Sequence, residues 1–135
     1  MRDIKFRGLL VESSKSFKTY KKNEVIVGGY CKQGSEHFII AHFNVFKVHE
    51  GSVGQFTGSV DRKGNEIYEG DIVLLDEGFY PRKRPVVFSE YGAWKIGELG
   101  ILFGQMKADG FVHCEVIGNI YQNPELLERS EQADA

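Results

Sequence analysis

Short apolar runs separated by turn residues dominate the hydrophobic pattern of this 135-residue chain. Each run holds three or four β-branched, leucine or aromatic residues, and helical periodicity is nearly absent. This pattern is typical of all-β domains. It predicts mainly antiparallel strands that form a small, partly open barrel of SH3-like character. The clearest runs lie at residues 25–27, 38–40, 72–75, 86–88 and 101–103.

The segment 111–117 alternates in polarity as a half-buried strand does. Val112, Cys114 and Val116 fall on one face, and His113 and Glu115 fall on the other. Gly118 then interrupts the pattern, which indicates a bulge or a close backbone approach.

A turn with a clear mechanism joins residues 53–60 to residues 65–69. Asp61 can accept backbone N–H groups at the head of a type I turn, and Gly64 suits the left-handed position that follows. The two segments are therefore predicted to form a hairpin. Glu69-Gly70-Asp71 is predicted to turn the chain into the next strand.

One short helix is predicted near the C-terminus. Asn123 is a favourable N-cap, Pro124 suits the first helical position, and Leu126 and Leu127 supply the buried side. Residues 129–135 contain no apolar anchor beyond alanine and are expected to fray. No repeat or interdomain linker is visible, so residues 1–135 are predicted to form a single domain.

Composition narrows the class of protein. The chain has a net charge of −2, two cysteines (Cys31 and Cys114) and no apolar run near the ~18 residues of a membrane span. We therefore expect a soluble cytoplasmic protein with free thiols. Residues 1–50 hold nine Lys/Arg against five Asp/Glu, and residues 51–135 hold eight against fourteen.

The candidates for catalysis or metal binding are weak. Asp61, Glu66, Glu69 and Asp71 lie within eleven residues, but their spacing lacks the pattern of a calcium loop and favours turn and strand roles. The four histidines lack zinc-site spacing, and no nucleophile elbow or phosphate-binding loop occurs. We expect no catalytic residue, metal or cofactor, with a hydrolase as a minor alternative. The histidines are His37, His42, His49 and His113.

Two segments combine basic and aromatic residues, at 15–22 and 79–84. Such pairings can hold phosphates and stack bases, but solvated loops with inward-folded aromatics are the favoured interpretation, because Asp76, Glu77 and Glu90 make the surroundings of the second segment acidic. A third interpretation is a protein partner or a homo-oligomer, because aromatic residues make up 13% of the chain. The candidate nucleic-acid contacts are Lys15, Lys18, Lys21, Lys22, Arg82, Lys83 and Arg84, with Phe17, Tyr20, Phe79 and Tyr80 as the aromatics.

Four stretches together resemble the YopX protein family: Ile4-Lys5-Phe6-Arg7-Gly8 and the segments 53–58, 61–73 and 115–127. The resemblance implies a β-rich protein, encoded by phages and prophages and acting in the cytoplasm of the bacterial host. It implies no reaction, because the family has no established activity. We therefore expect a non-enzymatic accessory protein that binds a host or phage protein; the alternative is a nucleic-acid-binding module.

Overall fold

A computed structural model of the chain describes residues 3–15, 18–75, 82–97, 101–103, 107–108 and 110–127. The chain divides into two compact units, residues 1–56 and residues 57–135, called here the N-terminal and C-terminal units. Every strand pair with a defined register is antiparallel among the described residues. The predicted antiparallel all-β fold is confirmed.

The N-terminal unit is built on one sheet with the strand order β6-β5-β4-β1, and β1 also pairs with the first residues of β7. Two very short strands, β2 and β3, pair separately. The strands are β1 (Phe6–Leu9), β2 (Ser14–Lys15), β3 (Thr19–Tyr20), β4 (Val25–Gln33), β5 (Glu36–Ala41) and β6 (Asn44–Val48), with a 3-10 turn at Glu50–Ser52. Strand β7 (Gly54–Val60) begins in the N-terminal unit and continues past Phe56 into the C-terminal unit.

This sheet does not close into a barrel in the described residues. A single bridge joins Leu10 to Val48, and the Val11 N–H donates to the Lys47 carbonyl at 3.0 Å. In the part of the chain that the structure describes, no further bridge to β6 is formed beyond Val11. The buried core residues are Leu10, Tyr20, Ile26, Ile39, Phe46 and Val48.

The C-terminal unit contains a five-stranded sheet with the order β12-β11-β10-β9-β15. Its core residues are Ile67, Val73, Leu75, Val86, Ile96, Phe103, Val112 and Cys114. The strands are β8 (Glu66–Tyr68), β9 (Asp71–Leu75), β10 (Arg82–Phe88), β11 (Trp94–Ile96), β12 (Ile101–Leu102), β13 (Lys107–Ala108), β14 (Phe111–Val112) and β15 (Glu115–Asn119).

The predicted turns and bulge are confirmed. Gly64 has a φ of 83° after the Asp61 turn, and Gly70 has a φ of 89° between β8 and β9. The register of β15 against β9 shifts between Val116 and Gly118, as a bulge requires. A Cβ atom on Gly118 would lie 2.6 Å from Asn123 Oδ1, so the backbone approaches closely there as well.

The predicted C-terminal helix is wrong in kind, because only a 3-10 turn forms at Pro124–Leu126. The Asn123 carboxamide makes no cap; it accepts the Asn119 backbone N–H at 3.1 Å and so braces the end of β15. The tail predicted to fray, 129–135, lies outside the described residues. In the part of the chain that the structure describes, no helix is long and apolar enough to cross a membrane.

Candidate interaction surface

One face of the N-terminal sheet carries apolar side chains that are not buried. Register places them side by side, because Ile40 lies opposite both Gly29 on β4 and Val45 on β6. Val45 is 64% exposed and Ile40 is 48% exposed. We call this surface the outer face; its exposed apolar residues are Val25, Val27, Ile40, Phe43 and Val45.

The outer face departs from the pattern of a sheet with one solvated side. Residues facing the opposite way, such as Ile26, Ile39 and Phe46, form the buried core. A sheet with one face in water normally alternates apolar residues inward with polar residues outward. Here several outward positions are also apolar, and a Cβ atom on Gly29 would meet nothing within 4 Å. The face is therefore open apolar surface of the kind that marks interaction sites.

Phe43 is the most unusual residue of the outer face. It lies in the two-residue turn between β5 and β6, where His42 and Phe43 have φ values of 50° and 63°. Two left-handed residues define the hairpin turn that asparagine and glycine favour, and a bulky residue there is strained. Phe43 also gains no burial, because its exposure is 107% of the reference value. Neither backbone preference nor packing explains a phenylalanine at this position.

Basic residues border the outer face. Arg7 on β1 lies opposite Val27, so it shares the same side of the sheet. Lys21 and Lys22 are exposed in the turn that leads into β4. Lys47 follows Val45 on the same side, and its Nζ lies 3.0 Å from Glu36 Oε2. Residues 51–56 are uncharged, so the N-terminal unit carries a formal charge of +4 and the C-terminal unit −6.

The predicted basic and aromatic segment 15–22 keeps its lysines exposed but not its tyrosine. Tyr20 is 3% exposed and packs edge-on against Phe46, with ring centroids 4.8 Å apart. Lys18 lies over the Tyr20 ring at 5.0 Å and 3.8 Å from Glu24 Oε2. Tyr20 therefore cannot stack a base, and Phe17 lies outside the described residues. Lys15, Lys18, Lys21 and Lys22 are all exposed.

The second basic segment is not the loop that the sequence predicted. Arg82, Lys83 and Arg84 begin strand β10 and pair with β9, which overrides the turn signal of the flanking prolines. Arg84 is buried, and its Nη1 donates to the Lys83 carbonyl at 2.8 Å. Arg82 is exposed and Lys83 half-buried, so the three side chains do not form one accessible basic cluster. Phe79 and Tyr80 lie outside the described residues.

Of the four carboxylates in the acidic group of the C-terminal unit, Asp61 and Asp71 accept backbone N–H groups, and Glu66 Oε1 accepts the Tyr68 hydroxyl at 3.3 Å. Asp61 Oδ1 accepts the Lys63 and Asn65 N–H groups at 2.9 and 2.8 Å, and Oδ2 accepts the Val116 N–H at 2.8 Å. Burial raises the pKa of the Asp61 carboxyl, but these hydrogen bonds outweigh burial and hold the pKa below its ordinary value of 3.8. Asp71 is also buried and accepts the Tyr68 N–H at 2.7 Å.

The histidines are dispersed over the chain. A hydrogen bond joins His37 Nδ1 to the Tyr30 hydroxyl, and His37 Nε2 is buried 4.0 Å from Glu50 Oε1. His49 Nε2 contacts Asn23 Oδ1 at 3.0 Å. His42 occupies the β5–β6 turn, and the exposed His113 lies against Phe111. No group of three metal-ligating side chains occurs among the described residues.

The two cysteines are free, and they lie in different surroundings. Cys114 is fully buried in the C-terminal core, and burial raises the pKa of its thiol to about 12. The thiolate is the nucleophilic form, so this thiol is inert at neutral pH. Cys31 on β4 is half-buried, and its sulfur lies 3.8 Å from Gln33 Nε2.

A family model described as YopX protein matches residues 6–128. The chain belongs to the YopX protein family. The match covers both units and every strand of the described residues, so the resemblance noted from short motifs is confirmed along nearly the whole chain. No curated protein matches the chain. The description of the family names no reaction.

Proposed function

We propose that this YopX protein is a non-enzymatic accessory protein of phage or prophage origin that binds another protein in the bacterial cytoplasm. The outer face of the N-terminal sheet is its contact surface. The observation that carries the proposal is Phe43, which is fully exposed and held in a left-handed conformation. Strained backbone of this kind costs about 1–3 kcal/mol and clusters at functional sites.

The surroundings of Phe43 support a contact with protein rather than with a small molecule. Exposed apolar residues extend from β4 through β5 to β6, with basic residues at the border. Aromatic and aliphatic residues at the centre with a polar rim are the usual anatomy of a protein interface. The buried carboxylates support a non-enzymatic role, because Asp61 and Asp71 are held by backbone N–H groups. A carboxylate used as an acid or base must instead reach a substrate.

Nucleic-acid binding is the second candidate, and the exposed lysines of residues 15–22 are the observation in its favour. The charge of +4 on the N-terminal unit suits phosphate contacts as well. Two features count against it. Tyr20 is buried and Arg84 is buried, so each basic segment lacks a group that the hypothesis requires.

The test is affinity capture from phage-carrying cells with the tagged chain, after nuclease treatment and at high salt. We expect a protein that the wild type retains and that Phe43→Gly and Val45→Ser both lose. Lys32→Ser, an exposed position on β4 that faces away from the outer face, serves as the matched control and should retain it. An apolar interface persists in high salt, whereas phosphate contacts weaken steeply.

Two outcomes would overturn the proposal. Equal retention by wild type and both outer-face variants would show that this surface is not the contact. Loss of all bound material on nuclease treatment would favour the nucleic-acid candidate. In that case Lys21→Ser and Lys22→Ser should reduce retention in a buffer without nuclease.

A further inference from the structure

The free edge of β6 borders an open groove on the N-terminal unit. Among the described residues β6 is the last strand of its sheet, so only one of its edges pairs with another strand of that sheet. The segment after β1 covers one end of the other edge, where the Val11 N–H donates to the Lys47 carbonyl at 3.0 Å. The segment then leaves β6, because Ser14–Lys15 pair with β3 instead.

The backbone groups of Val45 point into this groove. Along an antiparallel strand, alternate residues direct their N–H and C=O groups toward the same edge. The Lys47 carbonyl points toward Val11, so Val45, two residues earlier, points the same way. Phe46 points the opposite way, toward Ile39 on β5. Within residues 3–15 and 18–75, no backbone group bonds Val45 from the groove side.

The groove is small and apolar at its centre. It has a volume of about 260 Å³ and is lined by residues 10–14 and 45–47. Of these residues, Leu10 and Phe46 are buried, and Val45 is 64% exposed. Sites for small molecules typically have volumes of ~300–1,000 Å³. An extended piece of polypeptide backbone therefore suits the groove better than a small molecule does.

The β6 edge lacks the features that normally prevent the addition of a strand. Natural edge strands are protected by charged residues, proline or a bulge. β6 contains no proline, and its register against β5 is unbroken. Its one lysine, Lys47, is held 3.0 Å from Glu36 Oε2 on the outer face. The edge is therefore open to pairing at Val45.

The outer face determines which side chains an added strand would carry. Gly29, Ile40 and Val45 form one row across β4, β5 and β6. An added strand would place its next outward residue beside Val45 and so extend this row. Pairs of β-branched or aromatic residues across neighbouring strands stabilise a sheet. The added strand is therefore expected to carry such residues at alternate positions and no charge at its centre.

We propose that the partner protein contributes an extended segment of this chemistry, which adds as a strand to the β6 edge beside Val45. The inference rests on the proposed function, because it takes the outer face to be a protein-binding surface and specifies how the partner enters it. In strand addition, main-chain hydrogen bonds provide affinity and the alternate side chains provide specificity.

The probe is a synthetic capped peptide of alternating threonine and valine, titrated into the full-length chain and followed by NMR. In the free chain the Val45 amide should exchange with solvent quickly and the Phe46 amide slowly, because only Phe46 faces β5. We expect the peptide to shift the Val45 amide signal saturably. At a concentration about ten times its Kd, the peptide should slow Val45 exchange about tenfold.

Two variants at Val45 separate main-chain binding from side-chain binding. Val45→Pro removes the N–H that faces the groove, and proline is tolerated on an edge strand at such a position. Val45→Thr keeps the N–H and the β-branched shape and is the matched control. We expect Val45→Pro to weaken peptide binding about tenfold and Val45→Thr to weaken it less than about threefold.

Methylated peptides test the same hydrogen bonds on the wild-type chain, which keeps the test valid if Val45→Pro fails to fold. Alternate peptide amides face β6 in an added strand. N-methylation of one alternate set should therefore abolish binding, and N-methylation of the other set should retain most of it. Equal binding by the two methylated peptides would overturn the proposal.

Three further results would also overturn it: a slowly exchanging Val45 amide in the free chain, no saturable shift of that amide, or equal affinity of the peptide for folded Val45→Pro and the wild type. The proposed function is judged separately, by capture of a partner. A partner that Phe43→Gly and Val45→Ser lose but Val45→Pro retains would leave the outer face as the contact surface and remove only the added strand.

Discussion

Two hairpin turns of this chain place opposite kinds of residue at their left-handed positions. The turn after β7 places Gly64 at its left-handed position, and Asp61 accepts three backbone N–H groups around it. The turn between β5 and β6 places His42 and Phe43 at left-handed positions with Phe43 fully exposed. The first turn uses the residues that backbone energetics favour. The second retains a residue that they disfavour, which is expected where a binding surface constrains the residue type.

The largest expected effect lies in the favourable turn, at Asp61. Asp61→Ala leaves the Lys63, Asn65 and Val116 N–H groups without the carboxylate, and we expect the free energy of unfolding to fall by about 3 kcal/mol. Urea unfolding followed by Trp94 fluorescence measures the change. Glu125→Ala, at an exposed carboxylate, is the control and should change little. If the free energy of unfolding decreases by less than about 0.5 kcal/mol in Asp61→Ala, the hydrogen bonds to this carboxylate are not needed for stability.

The same carboxylate predicts how stability depends on pH. Its folded-state pKa lies below the ordinary value of 3.8, so the folded state favours the ionised form. The stabilisation is complete above pH 3.8 and is lost as the pH falls through the lower folded-state pKa. Unfolding free energies measured from pH 6 down to pH 2 should therefore drop more steeply for the wild type than for Asp61→Ala. Parallel curves for the two proteins would assign the acid sensitivity to other groups.

The Asp61 turn also shows which contacts can be predicted from the sequence and which cannot. Its two local backbone contacts, from the Lys63 and Asn65 N–H groups, were predictable, because an aspartate three residues before a glycine is a turn signal within one short segment. The bond from Val116 was not, because 55 residues separate the two groups in the chain. Arg82–Arg84 were misplaced for a related reason. Their flanking prolines signal a loop, and only pairing with β9 makes the segment a strand.

The outer face was not predicted, because polar and apolar residues do not alternate within the apolar runs. Val25-Ile26-Val27 is apolar throughout, yet Ile26 is 3% exposed while its neighbours face outward. A continuous apolar run indicates a strand without telling which residues are buried. The left-handed position of Phe43 was not predicted either, since it depends on where β5 and β6 pair.

Adjacent glycines on β4 provide a sharper comparison of the inner and outer sides of the sheet. A Cβ atom on Gly28 would lie 2.2 Å from the Ile40 carbonyl oxygen, whereas one on Gly29 would meet nothing within 4 Å. Gly28→Ala forces backbone apart and should cost about 2 kcal/mol, while Gly29→Ala should change stability by less than about 0.5 kcal/mol. Thermal unfolding of the pair measures both. Equal losses would mean that the outer face is covered in the folded chain.

The smallest expected effect is an increase in the free energy of unfolding, and it distinguishes a role of Phe43 in binding from a role in folding. Phe43→Gly relieves the left-handed strain and removes no buried contact, but glycine also raises the conformational entropy of the unfolded chain, which offsets part of the gain. The free energy of unfolding should therefore rise by about 0.5–1 kcal/mol. The opposite exchange, Gly64→Ala at a φ of 83°, should lower it by about 1 kcal/mol. Urea unfolding measures both variants under one condition. If Phe43→Gly raises stability and also abolishes capture of the partner protein, Phe43 is retained for binding at the expense of folding. If Phe43→Gly instead destabilises the chain, Phe43 supports the fold, and the contrast between the two turns no longer indicates a binding surface.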